Sequence, residues 1–181
     1  MMRQLINQQE EFNVYFMIVD YHAMTSLKNP VAMKENIVDV MIDYLALGLD
    51  PEKSIIFKQS DVSEHTELAW IFDTLTSVPY LERANAYKDA KANGKDMNVG
   101  LFNYPLLMAA DILLYDTDIV PVGQDQKQHI EITRDTAEKF NNTFGETFKL
   151  PEDMIMKEVS VAWYRWPKNE QELWQHYSSL C

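Results

Sequence analysis

Cysteine occurs once in the 181 residues, as the terminal Cys181, so no internal disulfide and no multi-cysteine zinc site can form. Histidine is almost as sparse, and His22, His65, His129 and His176 fall in no ligand spacing, which argues against metal ligation. Positive charge is in deficit: 16 Lys and Arg stand against 28 Asp and Glu, giving −12, and no polybasic block exists to grip phosphates by counterion release. A dedicated, non-specific nucleic-acid binder is thereby disfavoured. No apolar run is long enough for a membrane span. The first eleven residues lack the apolar core of a signal peptide and are too acidic for a transit peptide, so a cytoplasmic location is expected. Five glycines and no low-complexity stretch leave no room for a flexible linker, whereas 46% hydrophobic and 12% aromatic residues describe an ordinary globular chain.

An asymmetry appears when the chain is divided near residue 158. All five glycines precede that point, whereas Trp163, Trp166 and Trp174, three of the four tryptophans, follow it. Beyond it Arg165 and Lys168 cancel Glu170 and Glu172, so the whole net charge belongs to residues 1–158.

Within 1–158 the pattern alternates. Residues 1–11 are polar and helix-compatible, and Val14–Val19 is a short apolar run of strand formers. Asn29-Pro30 opens a helical stretch over 31–48 with Gly48 at its stop. Ser54–Gln59 reads as a second strand, and Ser63, Thr66 and Glu67 mark the next helix start. Helices then dominate at about 64–76, 79–92 and 104–115 before a third strand at Ile119–Gly123 and a helix over Asp125–Asn142. Strand, helix, strand, helix predicts a parallel α/β sheet, here carrying a helical insertion.

Four places could carry chemistry. Leu106–Tyr115 holds a single charge in ten residues, so Asp111 must be buried and must find a partner or a ligand. Tyr104, Met108, Asp111 and Tyr115 share one helix face, a soft aromatic surface with one carboxylate; a flat apolar ligand fits it, and so does a buried Asp answered by an Arg or a helix N-terminus. Gly123–His129 lies where a strand end turns into a helix, the edge that holds ligands in parallel α/β folds. Its amides favour anions, yet Asp125 followed by Gln128 is equally a capping-box pattern that needs no ligand. His22 is placed at the same edge after the first strand, as a catalyst or as an ordinary loop residue. Arg83, Lys88, Lys91 and Lys95, beside Gly94 and Gly100, read as a solvated basic loop.

Several stretches together resemble the bacterial-type tryptophanyl-tRNA synthetases, a family of class I aminoacyl-tRNA synthetases. They are Val19-Asp20-Tyr21-His22-Ala23-Met24-Thr25, Tyr44–Lys53, Tyr104-Pro105-Leu106-Leu107-Met108-Ala109-Ala110-Asp111-Ile112-Leu113-Leu114-Tyr115 and Val120-Pro121-Val122-Gly123-Gln124-Asp125-Gln126-Lys127-Gln128-His129, in family order over residues 1 to about 158. The resemblance implies a Rossmann-like class I catalytic domain whose parallel sheet lacks its first strand. It implies that Asp111 accepts the indole N–H of tryptophan, that Met108 and Ile112 wall the indole, and that Val120 and Val122 line the pocket. Tyr104 and Gln126 match residues that hold the ammonium end, and His22 matches a pocket-edge position. Gly123, Gln124 and Asp125 resemble an ATP-contact segment, although family members often have Glu where this chain has Gln124. The chemistry implied is attack of the tryptophan carboxylate on the α-phosphorus of ATP, then transfer of the tryptophanyl group to its tRNA. Mg2+ is expected with ATP, with no protein ligands identified, and the intact enzyme is expected to be a homodimer.

Two family segments have no counterpart in this frame: an early Pro-x-Gly-x-x-His-x-Gly-His and a late Lys-Met-Ser-Lys-Ser. No catalytic residue is therefore assigned. The chain resembles the family from the helix after the early segment, and loss of the strand before it is expected to divide the sheet and expose strand edges. Residues 159–181 resemble nothing in the family as written. A synonymous codon choice for Trp163–Tyr177, read one base out, spells Gly-Thr-Asp-Gly-Gln-Lys-Met-Ser-Lys-Ser-Tyr-Gly-Asn-Thr, which is the late loop. The tail is expected to be an out-of-frame translation; a genuine tryptophan-rich interaction segment is the alternative. For the chain as written, two functions stand: a tryptophan–tRNA ligase, or a catalytically silent remnant that binds tryptophan weakly or associates with an intact subunit.

Overall fold

The computed structural model describes residues 2–94 and 98–155. Lys95, the tail from 159 onward, Cys181 and three tryptophans lie outside the described residues. The chain divides into two compact units, one running to Phe57 and one spanning Lys58–Ile155.

The first unit holds α1 (Met2–Asn7), a 3-10 turn at Gln8–Glu10, β1 (Val14–Ile18), α2 (Asp20–Ala23), α3 (Pro30–Ala46) and β2 (Ser54–Lys58), which ends at the unit boundary. β1 and β2 form a two-stranded sheet. Asn29 caps α3 by accepting hydrogen bonds from the Val31 and Ala32 N–H groups at 3.0 and 3.2 Å, and Pro30 takes the first helical position, where its missing N–H costs nothing. Gly48 ends the helix with φ of +104°, while the Leu49 N–H returns to the Tyr44 carbonyl at 3.0 Å. A small core of Ile6, Ile18, Tyr44 and Leu49 closes the unit, with Phe16, Ile37, Val40, Met41 and Ile56 packed on it. The Gln9 amide ties the N-terminal turn to the α3–β2 connection, donating to the Gly48 carbonyl and accepting from the Asp50 N–H, both at 2.9 Å.

The second unit is mostly helical: α4 (Glu64–Leu75), α5 (Val78–Leu81), α6 (Asn85–Ala92), α7 (Val99–Leu113), β3 (Ile119–Val122), α8 (Lys127–Phe144) and β4 (Glu152–Ile155). α7 packs against both α4 and α8. Their shared core contains Phe72, Leu81, Ala84, Leu106, Ala109, Ala110, Leu113, Ile132 and Ala137. Ala109 and Ala110 let the helices approach closely, and Phe72, Phe140 and Phe148 meet edge to face around them. β3 and β4 pair in parallel, Ile119 opposite Glu152 and Val122 opposite Ile155. Arg134 on α8 anchors β4, donating from Nε to the Pro151 carbonyl and from Nη2 to Asp153 Oδ1, both at 2.7 Å.

The four described strands thus make two separate two-stranded sheets, a divided arrangement. Three expectations need correction, and one strand is added. The helix expected over 79–92 is two helices, because Ala84 turns extended (ψ 136°) and buries its methyl in the core. α7 starts at Val99 rather than Tyr104: Asn98 caps it by accepting from the Leu101 N–H, and Pro105, a residue typical of a first turn, lies inside the helix instead. The helix expected from Asp125 begins at Lys127, after a 3-10 turn at Gln124–Gln126. β4 carries only four residues, two of them acidic, and gives no hydrophobic signal in the sequence.

Candidate functional site

The last turn of α7 supplies the most unusual group in the second unit. Pro105, Leu106, Ala109, Ala110, Asp111, Ile112 and Leu113 are all buried, and Asp111 is only 8% exposed. A carboxylate in such surroundings must be hydrogen-bonded or paired. Its partners come from residues before and on α4. Gln59, fully buried just beyond the end of β2, donates from Nε2 to both carboxylate oxygens at 2.9 Å. His65, fully buried in the first turn of α4, places Nδ1 2.7 Å from Asp111 Oδ1. This contact has ion-pair length, but its angle is that of a close electrostatic approach rather than an aligned hydrogen bond. On the far side of the ring, His65 Nε2 meets the Tyr115 hydroxyl at 2.9 Å, with the two rings 5.5 Å apart. Gln59, Asp111, His65 and Tyr115 therefore form one buried polar chain.

Elsewhere in the unit, Ile112, Val122 and Ile130 form a cluster on which Met108 and Val120 pack. The structure thus brings together Met108, Ile112, Val120 and Val122, four of the residues expected to wall an apolar ligand. Tyr104 lies one turn before Met108 on α7, half-buried, its hydroxyl 3.0 Å from His129 Nε2 of α8. Burial, with a smaller contribution from the Asp89 charge, pushes the Tyr104 hydroxyl up to about 12, so it stays protonated at neutral pH. Protonated, it donates to a neutral imidazole while its oxygen lone pairs accept.

At the end of β3, Gly123 is extended (φ −70°, ψ 161°) and leads into the Gln124–Gln126 turn. The capping box is absent. No side chain caps α8, Asp125 accepts from Gln126 Nε2 at 2.9 Å, and Gln128 instead accepts the Asn85 N–H at 2.8 Å. Donation by the Gln126 amide nitrogen turns its carbonyl oxygen to acceptor duty, the role an ammonium group needs. His22 is buried in the short α2 of the first unit, within a helical turn rather than a strand-end loop. Among the described residues, no group of three or more His, Cys, Asp or Glu is arranged to hold a metal ion. No described helix is long and apolar enough to cross a membrane.

Comparison with known proteins places this arrangement. The model of the tRNA synthetases class I (W and Y) matches residues 1–162. The chain belongs to the class I tRNA synthetases (W and Y). Against tryptophan–tRNA ligase from Fusobacterium nucleatum, this synthetase chain is 52% identical over 162 residues, which are 89% of it and 50% of that protein. The tryptophanyl-tRNA synthetase structure from Campylobacter jejuni with ADP and tryptophan superposes with a TM-score of 0.86 at 46% identity, over 94% of this chain and 55% of that one. The tyrosyl-tRNA synthetase from Archaeoglobus fulgidus, 20% identical with a TM-score of 0.67, shares the fold. The class I synthetase α/β fold is established by these matches, and the chain spans about half the length of the curated relatives it matches.

Two members of the polar chain, Gln59 and His65, have no role in a reading of the sequence alone, whereas Tyr115 is expected on the same face as Asp111. Gln59 closes a strand at the ligand-bearing edge, which is a signal, but its burial is invisible there. His65 offers none, because its partner is 46 positions away.

Proposed function

We propose that this chain forms the tryptophan-recognising part of a tryptophan–tRNA ligase. The observation that carries the reading is the Asp111 carboxylate, buried and held by Gln59 and His65 on the same helix as Met108 and Ile112, which join Val120 and Val122 in one apolar cluster. An ionised carboxylate accepts only, so a flat apolar ligand lying there must bring a donor, and the indole N–H of tryptophan is one. Tyr104 and the Gln126 carbonyl would accept from the amino-acid ammonium group. His22, which matches a pocket-edge position of the family by its sequence, belongs to the first unit. Gly123, Gln124 and Asp125 would contact ATP, the Gly123 backbone allowing close approach.

In the whole enzyme, the tryptophan carboxylate attacks the α-phosphorus of ATP, pyrophosphate leaves, and the tryptophanyl group passes to the terminal ribose of its tRNA. The contribution of these residues is orientation and selection, with Mg2+ accompanying ATP and no protein ligand for it assigned. We further propose residues 1–158 as the synthetase portion, 159–181 as an out-of-frame tail, a cytoplasmic location, and a homodimeric intact enzyme. The match of the family model over residues 1–162 supports the first. Genomic sequence around codon 159 tests the first two: one intact frame with unrelated codons rejects the tail reading.

Two measurements test the function. Calorimetric titration is expected to show L-tryptophan bound more tightly than L-tyrosine, with the preference lost in Asp111→Asn; tighter tyrosine binding or indifference to the substitution overturns the reading. Tryptophan-dependent ATP–pyrophosphate exchange is expected to be absent for the chain alone, since neither ATP signature segment stands in its sequence. Exchange at the rate of a complete enzyme would show an active ligase instead of a silent remnant.

A further inference from the structure

The buried polar chain does more than neutralise a carboxylate. Gln59 spans both Asp111 oxygens through one nitrogen, so it holds the group without distinguishing one oxygen from the other. His65 approaches only Oδ1, and its ring is fixed at the opposite nitrogen by Tyr115. With the Tyr115 O–H donating to His65 Nε2, the ring proton sits on the other nitrogen, Nδ1, which stands 2.7 Å from Asp111 Oδ1. Each member fixes the next, and α7 supplies both ends, since Asp111 and Tyr115 are four positions apart, one just inside the helix and one just past it.

We propose that His65, backed by Tyr115, is a positioning residue that sets selectivity for an N–H-bearing ligand by pinning the Asp111 carboxylate in one rotamer and favouring its ionised, acceptor-only form. The inference rests on the reading that Asp111 accepts the indole N–H. A carboxyl group that protonates or swings can satisfy itself when a ligand lacks a donor. A pinned carboxylate cannot, and the ligand without a donor then covers an acceptor position that nothing fills.

The test is the ratio of affinities of the 181-residue chain for L-tryptophan and for its benzothiophene analogue, in which sulfur replaces the indole N–H at nearly equal shape, measured by titration calorimetry. The unaltered chain is expected to favour tryptophan by about a hundredfold. His65→Leu is expected to shrink that ratio about tenfold, and Tyr115→Phe several-fold; His65→Asn, whose amide nitrogen can stand near the Nδ1 position, should largely restore it. A role in packing alone would weaken both ligands equally and leave the ratio where it was. If His65→Leu does not fold, Tyr115→Phe decides: a reduced ratio supports the proposal and an unchanged one overturns it. A strong ratio in the unaltered chain that survives both substitutions rejects the role of His65 while sparing that of Asp111. No preference for tryptophan in the unaltered chain, or no binding, rejects the reading of Asp111 and this inference together.

Discussion

Two helices of similar length are used in opposite ways. α3 runs for 17 residues and buries only Tyr44, while Val31, Val38 and Ile42 each keep more than half of their surface in solvent. α7 runs for 15 and buries seven, including a carboxylate. The first lays one side, Ile37, Val40, Met41 and Tyr44, on a small core and is closed at its ends by the Asn29 cap and the Gly48 stop. The second is held by its sides, between α4 and α8, and its backbone tolerates an internal proline because packing compensates for the lost hydrogen bond. Rigidity of that kind is what a selective site needs: side chains locked on a packed element hold their geometry to within a fraction of an ångström.

The contrast can be broken by substitution. Leu106→Ala, which empties a fully buried position in α7, is expected to cost about 3 kcal/mol, whereas Ile42→Ala in α3 should cost under about 1 kcal/mol. Chemical denaturation of the two variants gives the comparison, and similar losses would show that α3 is as firmly held as α7. Asp111→Asn keeps shape but makes the group both donor and acceptor. Tryptophan affinity should fall by about a hundredfold, with little loss of folding stability because Gln59 can turn its amide to match; calorimetry and thermal unfolding separate the two effects. At the end of α3, Asn29→Ala removes an acceptor for two helix N–H groups and is expected to cost about 1 kcal/mol. A loss below about 0.3 kcal/mol would mean that the helix is not end-held.

The smallest effect depends on pH. The hydrogen bond from Arg134 holds the Asp153 carboxyl below its usual range. A carboxyl depressed in the folded state adds stability that is complete above its unfolded value of about 3.9 and disappears as pH falls through the folded value. Stability measured from pH 7 down to about pH 3 should therefore drop less steeply in Arg134→Gln than in the unaltered chain. Parallel profiles would show that the pair contributes nothing to the docking of β4.

Much of this was legible in the residues. Leu106–Tyr115, with one charge among apolar neighbours, announces a buried helix and a carboxylate in need of partners, and both are present. Val14–Ile18, Ser54–Lys58 and Ile119–Val122 are β-rich and short, and each forms a strand. What stayed hidden was non-local. The partners of Asp111 come from 46 and 52 positions away, and no local rule relates a histidine in the first turn of one helix to a carboxylate in the last turn of another. The capping-box pattern of Asp125 and Gln128 misled for the same reason: the backbone adopts a 3-10 turn there, and Gln128 serves the distant Asn85 instead. Locally consistent patterns yield when a tertiary partner is better.

The central claim is that Asp111 receives the indole N–H of tryptophan, and one measurement addresses it directly. L-tryptophan labelled with 15N in the indole ring, added to the unlabelled chain, reports its own ring N–H by proton–nitrogen NMR, free of signal from the tryptophans of the protein. The account predicts a bound signal shifted well downfield and protected from exchange with water, both lost in Asp111→Asn. A bound indole N–H that keeps its free position and exchanges freely would contradict it.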